Sequence, residues 1–366
     1  MIPIEYYKIV YFTLISLVLI VFFLPKIIME PLVSSNSKSN QFFVFIILVL
    51  TIGFIGLRDP WGLERFFGDT ITYSEYYEAI QLGYLTEFTI DYGFFFFMKM
   101  CSYLFTLRHF YIICAMIYVL LPFVSFKKWF GNMVIYVLLV YVLSFSFLPF
   151  GINGVRNGLA SAIFIFALGF TEKKWLMYSL FVLSISFHKA MVLPFLTFQM
   201  VYIIKNPKYY LYLWLLSIPL SFFFSKSLLS LAEFIFENDS LIQDSRASTY
   251  FSEDTIVTKV GGVFRIDFIL YSSIGVIIGY WSIVKKSFNN KLYRKIYGTY
   301  VLANAIWILL IYAPYTNRVA YLSWFLMPIV LTFPFVTKVR FTKHNKKYLI
   351  YIIYGTLAFT LLMEII

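Results

Sequence analysis

The sequence predicts an all-α, polytopic integral membrane protein with about 12 (11–13) transmembrane helices and two longer external loops. Three observations support that class. Hydrophobic residues make up 61% of the 366 positions and charged residues only 13%, too little charge for a soluble domain of this length. Apolar runs of helical length recur along the whole chain. The basic residues gather in short clusters between those runs, which is the pattern of membrane topology rather than of a nucleic-acid footprint, despite a net charge of +12.

Taken in order, the runs at about 4–24, 41–57, 109–126, 132–149, 156–171, 209–226, 265–284, 296–313, 318–336 and 346–364 read as spanning helices. The first has no basic region ahead of it and no small-residue cleavage site, so it reads as a retained helix. Residues 174–204 form a longer run interrupted by His188-Lys189 and Pro194, which reads as a helical hairpin with His188 at its turn. The run 91–107 reads as a re-entrant or interfacial helix, because an odd number of crossings must separate the loop before it from the lysines after it. A misplaced boundary would account for the same parity. No internal repeat appears, and 1–366 reads as a single integral membrane domain.

Orientation follows from Lys and Arg. Lys26/Lys38, Lys127/Lys128, Lys173/Lys174, Lys205/Lys208 and two clusters at 285–295 and 338–347 hold more than half of the basic residues, and these loops are expected inside. The opposite face then receives residues 58–90, 150–155, the His188 turn, 227–264 and 314–317. The two long external loops, about 58–90 and 227–264, are rich in acids.

Cys101 and Cys114 stand in apolar runs and read as packing residues. Three histidines without ligand spacing argue against a metal site, and no cofactor is expected.

The most unusual stretch is Gly151-Ile-Asn-Gly-Val-Arg-Asn-Gly-Leu-Ala-Ser161, a polar turn that carries Arg156 into an apolar helix. A cation there costs roughly 2.5–3.5 kcal/mol even on lenient insertion scales, so it normally faces a cavity, a partner or an anionic ligand. The flanking glycines leave backbone room for such a ligand. Other candidates at the same expected boundary are Arg58, Arg65, His188, Arg265 with Asp267, and Asn317-Arg318. Each has a plainer account: Arg58 and Arg65 stand among loop acids, Arg265 and Asp267 can satisfy each other, Arg318 can snorkel, and His188 can be an ordinary interfacial histidine. Several guanidinium groups on one face nevertheless suit a diphosphate, whose oxygens they pair in forks while staying charged. A lipid-linked diphosphate would place its head at this depth, with arginines standing in for a metal's charge as it departs.

At these residues the chain resembles the EpsG/Wzy group of bacterial polysaccharide repeat-unit polymerases. The matching pieces are Arg65-x-x-Gly-Asp69-Thr-x-x-Tyr73, Asp91-Tyr-Gly-Phe94, Asn153-Gly-Val-Arg156-Asn157-Gly-Leu-Ala160 followed by Lys173-Lys174, and Phe187-His188-Lys-Ala190. Weaker echoes are Arg246-x-x-x-Tyr250, Arg265-x-Asp267 and Arg318-x-x-x-Leu322. The family's usual glutamine after the turn arginine is Asn157 here, and its small residue after the histidine is Lys189.

The resemblance implies metal-independent glycosyl transfer on the periplasmic or external face of the bacterial inner membrane. A glycan on undecaprenyl diphosphate would be joined to a new undecaprenyl-diphosphate-linked oligosaccharide repeat unit. Arg156 with Arg65, Arg265 and Arg318 would bind the diphosphate, and Asp267 would orient Arg265. His188 or Asp69 would be the general base, with Tyr73, Asn153 and Asn157 lining the substrate site. Expected partners are the lipid-linked oligosaccharides and membrane lipid, with room for a chain-length regulator and none for nucleic acid. An O-antigen ligase is a rival of the same chemistry, and a lipid-linked glycan flippase a rival of another class.

Overall fold

The computed structural model describes residues 6–23, 38–62, 67–85, 91–238, 264–313, 316–337 and 343–365. Arg65, the Arg246–Tyr250 echo and most of the second expected external loop lie outside them. Among the described residues the secondary structure is entirely helical, without strands. Among the described residues, four stretches, Leu107–Leu143, Ile266–Lys285, Thr316–Val336 and Asn345–Met363, are long and apolar enough to cross a membrane, and five more apolar helices are shorter.

The chain falls into two compact units. The first contains Met1–Phe88, Gly93–His188 and Phe335–Ile366, and the second Thr89–Tyr92 and Lys189–Pro334.

In the first unit the helices are α1 (Tyr7–Leu17), α2 (Lys38–Gly56), α3 (Thr70–Gln81), α4 (Tyr92–Leu104), α5 (Leu107–Phe130), α6 (Val134–Leu143), α7 (Phe147–Ile152), α8 (Val155–Leu168) and α9 (Lys174–Phe187). α5 packs on α2, α6 and α8, and α8 packs in turn on α7 and α9. Every residue of α8 except Phe166 is buried, as expected of a helix apolar on all sides. Hydroxyls fasten the other helices to backbone carbonyls: Tyr11 donates to Val142 at 2.9 Å and Tyr118 to Phe147 at 3.0 Å.

Two boundaries differ from the hydropathy reading. The expected external loop 58–90 contains α3, whose polar sequence hides a buried stripe of Thr70, Tyr73, Ser74, Tyr77 and Ile80. That stripe has helical spacing but too little apolar content to stand out. The run 132–149 divides at Ser144, which takes an extended conformation while its hydroxyl bonds back to Tyr141 O, a local competition typical of serine. α4 has 13 residues, about 20 Å at 1.5 Å per residue and short of a ~30 Å hydrocarbon core.

The second unit holds α10 (Val192–Ile203), α11 (Pro207–Asn238), α12 (Ile266–Tyr280), α13 (Lys291–Leu309), α14 (Thr316–Trp324) and α15 (Met327–Val336). α13 is its centre and packs on α10, α11, α12 and α14. α11 runs to Asn238, well past the expected start of the 227–264 loop. The run 318–336 breaks before Pro328, which has no N–H to give the preceding turn. The last helix, α16 (Lys343–Ile365), returns to the first unit, where Thr360 donates to Leu143 O at 2.8 Å.

Candidate active site

The turn that carries Arg156 is an elbow between α7 and α8. The Asn153 N–H makes the last α-helical bond, to Pro149 O at 3.0 Å, and the Gly154 N–H turns back to the same oxygen at 2.8 Å, which ends the helical ladder. Of the glycines flanking Arg156, one does different work from that expected. A β-carbon at Gly158 would lie 2.4 Å from Phe150 O, so the space there is filled by the elbow itself rather than left for a ligand. Gly154 has only ordinary contacts around its missing side chain and is half-buried, so the room is on that side.

Arg156 is 7% exposed. Its Nε donates to the Tyr73 hydroxyl at 3.1 Å, with the guanidinium carbon 5.6 Å from the Tyr73 ring centre. The Arg65-to-Tyr73 motif and the arginine turn, more than 80 residues apart in sequence, thus meet directly. A second link lies beside the first, where the Asp69 N–H donates to Asn153 Oδ1 at 3.0 Å. Gly68 makes this approach feasible: its φ is +53°, and a β-carbon there would fall 2.2 Å from the Asn153 side chain. Asp69 precedes α3, yet its carboxylate makes no capping bond to that helix. Asn157 follows Arg156 and is buried, with its Oδ1 lacking a hydrogen-bond partner among the described residues.

His188 is brought to the same end by the pairing of α8 with α9. Ser184 Oγ donates to Ala160 O at 2.7 Å, and Phe181 lies 4.5 Å from Phe164, ring centre to ring centre. The two helices therefore run antiparallel, and the register sets the end of α9 opposite the start of α8. The turn between α8 and α9 is at Gly169–Lys173. His188 terminates α9 in an extended conformation (φ −155°, ψ 113°), so the 174–204 run breaks there, while Pro194 lies inside α10. An aromatic ladder completes the link: Phe94 packs against Tyr73 at 5.5 Å and against Phe187 at 6.3 Å.

The lysines mark the other end. Lys128 Nζ bonds Gly169 O, so Lys127/Lys128 and Lys173/Lys174 gather where α8 finishes. That is about 20 Å from Arg156 along a 14-residue helix.

In the second unit Arg265 and Asp267 form a bidentate pair. Nε donates to Oδ1 at 3.0 Å and Nη2 to Oδ2 at 2.6 Å, and the guanidinium lies 3.6 Å over Phe268. Arg318 occupies the first turn of α14, half-buried. Asp91, in the Asp-Tyr-Gly-Phe motif, is 2% exposed. It accepts the Lys189 N–H at 2.9 Å, which caps the turn that follows His188.

With this geometry in place, the comparison with known families is decisive: the EpsG family model matches residues 40–365. The chain belongs to the EpsG family. EpsG proteins are Wzy-type polymerases, so membership points to a polysaccharide polymerase acting by glycosyl transfer in a membrane. The match takes in both units and every motif named above. No curated protein and no solved structure matches this EpsG chain.

Arg58, a candidate from its place at the expected boundary, stands among loop acids in the sequence, yet it is buried and in contact with α3 and α5 rather than solvated.

Proposed function

We propose that this protein joins undecaprenyl-diphosphate-linked oligosaccharide repeat units at the external face of the bacterial inner membrane, in a bundle of about 12 crossings. The main support is the α8–α9 register. It sets Arg156 and His188 at one end of the first unit and the lysine pairs at the other, so that lysines inside leave the arginine end outside.

In this reading the acceptor hydroxyl attacks the anomeric carbon of the lipid-linked glycan. The bond from that carbon to the diphosphate oxygen breaks with its electron pair. The hydroxyl proton passes to His188 or Asp69, and Arg156 takes up the charge developing on the departing diphosphate. Tyr73 accepts a hydrogen bond from Arg156 Nε and so orients the fork that would address phosphate oxygens. Asn153 and Asn157 line the sugar side. Arg65, by its motif, and Arg265 (oriented by Asp267) with Arg318 are proposed to bind anionic groups of the lipid-linked substrates as well. No metal is assigned a step, because guanidinium groups supply the charge.

The purified protein in liposomes, given lipid-linked repeat units, should produce a ladder of polymer. A flippase would yield no ladder. In cells, loss of a polymerase leaves single-repeat capped glycans, whereas loss of an O-antigen ligase removes surface glycan altogether. Normal polymer length and yield from Arg156→Lys, which keeps charge but loses the fork, would sink the diphosphate assignment.

A further inference from the structure

Arg58 stands just past the end of α2, and it is 2% exposed. Its Nη1 donates to Ile55 O at 2.7 Å, which closes the last turn of its own helix. Its Nε donates to Thr70 Oγ1 at 3.3 Å, and its plane lies 4.1 Å from the Tyr111 ring centre. Two further bonds extend the reach of this contact. The Thr70 hydroxyl donates to Ile152 O at 2.7 Å, on the elbow before Arg156, and the Tyr111 hydroxyl donates to Thr70 O at 2.8 Å. Ser74 joins the same knot through Tyr111 and Pro60 O. One guanidinium thus ties together the end of α2, the start of α3, the wall of α5 and, through Thr70, the α7–α8 elbow.

Burial pulls the Arg58 pKa below its ordinary value, and no carboxylate approaches it among the described residues. A cation in such surroundings is unfavourable unless its planar fork does something a neutral side chain cannot. Here that task is geometric. Thr70 and Tyr73 are three residues apart and share one face of α3; Arg58 holds the first, and the second holds Arg156.

We propose that Arg58 is a positioning residue, a buried bracket that fixes the first turn of α3 and thereby sets where Tyr73 holds Arg156. Its effect on the reaction rests on the reading of Arg156 as the diphosphate ligand; its hold on α3 does not.

The test uses the full-length protein in liposomes, as wild type, Arg58→Lys and Thr70→Val. Two quantities are read for each: amide hydrogen exchange across Thr70–Gln81, and kcat and KM for polymerisation of lipid-linked repeat units. Arg58→Lys should speed exchange in that segment about tenfold. It should lower kcat about tenfold while KM stays within about twofold, because Arg156 remains charged but misaligned with the leaving group. Thr70→Val should move both quantities in the same direction by less. Wild-type exchange, or faster exchange with unchanged kcat, overturns the proposal. A raised KM with undisturbed α3 also overturns it, since Arg58 would then contact substrate itself. If Arg58→Lys does not fold, Thr70→Val decides by the same readouts. Faster exchange in Arg58→Lys alongside full activity in Arg156→Lys would sink the diphosphate reading and leave the link between Arg58 and α3 standing.

Discussion

Around Asn304, in the second unit, every hydrogen-bonding atom of the buried amide is matched. Trp214 donates to its Oδ1 at 2.7 Å, and its Nδ2 donates to Ser272 and Ser323, each at 3.0 Å. Ser272 also accepts from Trp324 at 2.7 Å. The cluster at the arginine elbow of the first unit is equally buried but left incomplete, with Arg58 Nη2 and Asn157 Oδ1 lacking partners among the described residues. A closed network is what a helix bundle needs to fix its packing; open valences in a buried network disfavour the fold and mark places where another requirement operates. The contrast predicts that substitutions in the first cluster alter activity, and that those in the second alter stability.

The largest effect is expected at His188. His188→Ala should lower polymerisation about 10²–10⁴-fold, the usual contribution of a general base, and single lipid-linked repeats should accumulate with unfolding temperature unchanged. Persistent polymer would move the base to Asp69. Arg156→Lys comes next, with an expected loss of about 10²–10³-fold in kcat, the range for removing one pre-aligned donor to a developing anion. Asn304→Leu tests the other side of the contrast. It strands the Trp214 N–H and takes one donor each from Ser272 and Ser323, so detergent unfolding should show a loss of about 1–3 kcal/mol while the folded fraction keeps its specific activity. Reduced specific activity at full stability would erase the distinction between the clusters. Tyr73→Phe should be mildest. It removes one hydrogen bond to Arg156, worth about 0.5–1.5 kcal/mol, and should appear as up to about a tenfold fall in rate.

The sequence makes some of this visible and conceals the rest for physical reasons. Helices such as α2, α5 and α12 are legible because burial in lipid or in a bundle demands long apolar runs, whatever the partner. The breaks at Ser144 and before Pro328 are less so, since hydropathy averages over the few residues that redirect the backbone. α3 is hidden because Tyr, Thr and Ser can be buried when their hydroxyls find carbonyls, as Thr70 and Ser74 do. The motifs around Asp69, Tyr73, Asn153 and Arg156 stand out as isolated pieces, yet nothing in their spacing says that Tyr73 meets Arg156 or that Asp69 meets Asn153. Pairings of that kind depend on how helices dock. Arg58 is a candidate by position, with neighbouring acids offering the plainer account of a solvated ion pair; its environment is instead set by Thr70 and Tyr111, which are distant in sequence. Arg65 lies outside the described residues, so its part rests on its motif alone.

The bond from Ser184 to the Ala160 carbonyl lies in the second turn of α8 and the last turn of α9, four residues from Arg156 and from His188. Helical phase is therefore locked there, and a single-residue insertion between Ser184 and His188 would swing the imidazole by about 100° around the axis of α9. Length-altering changes among the three residues between them, Ile185, Ser186 and Phe187, should be far more damaging than conservative replacements at any one of them.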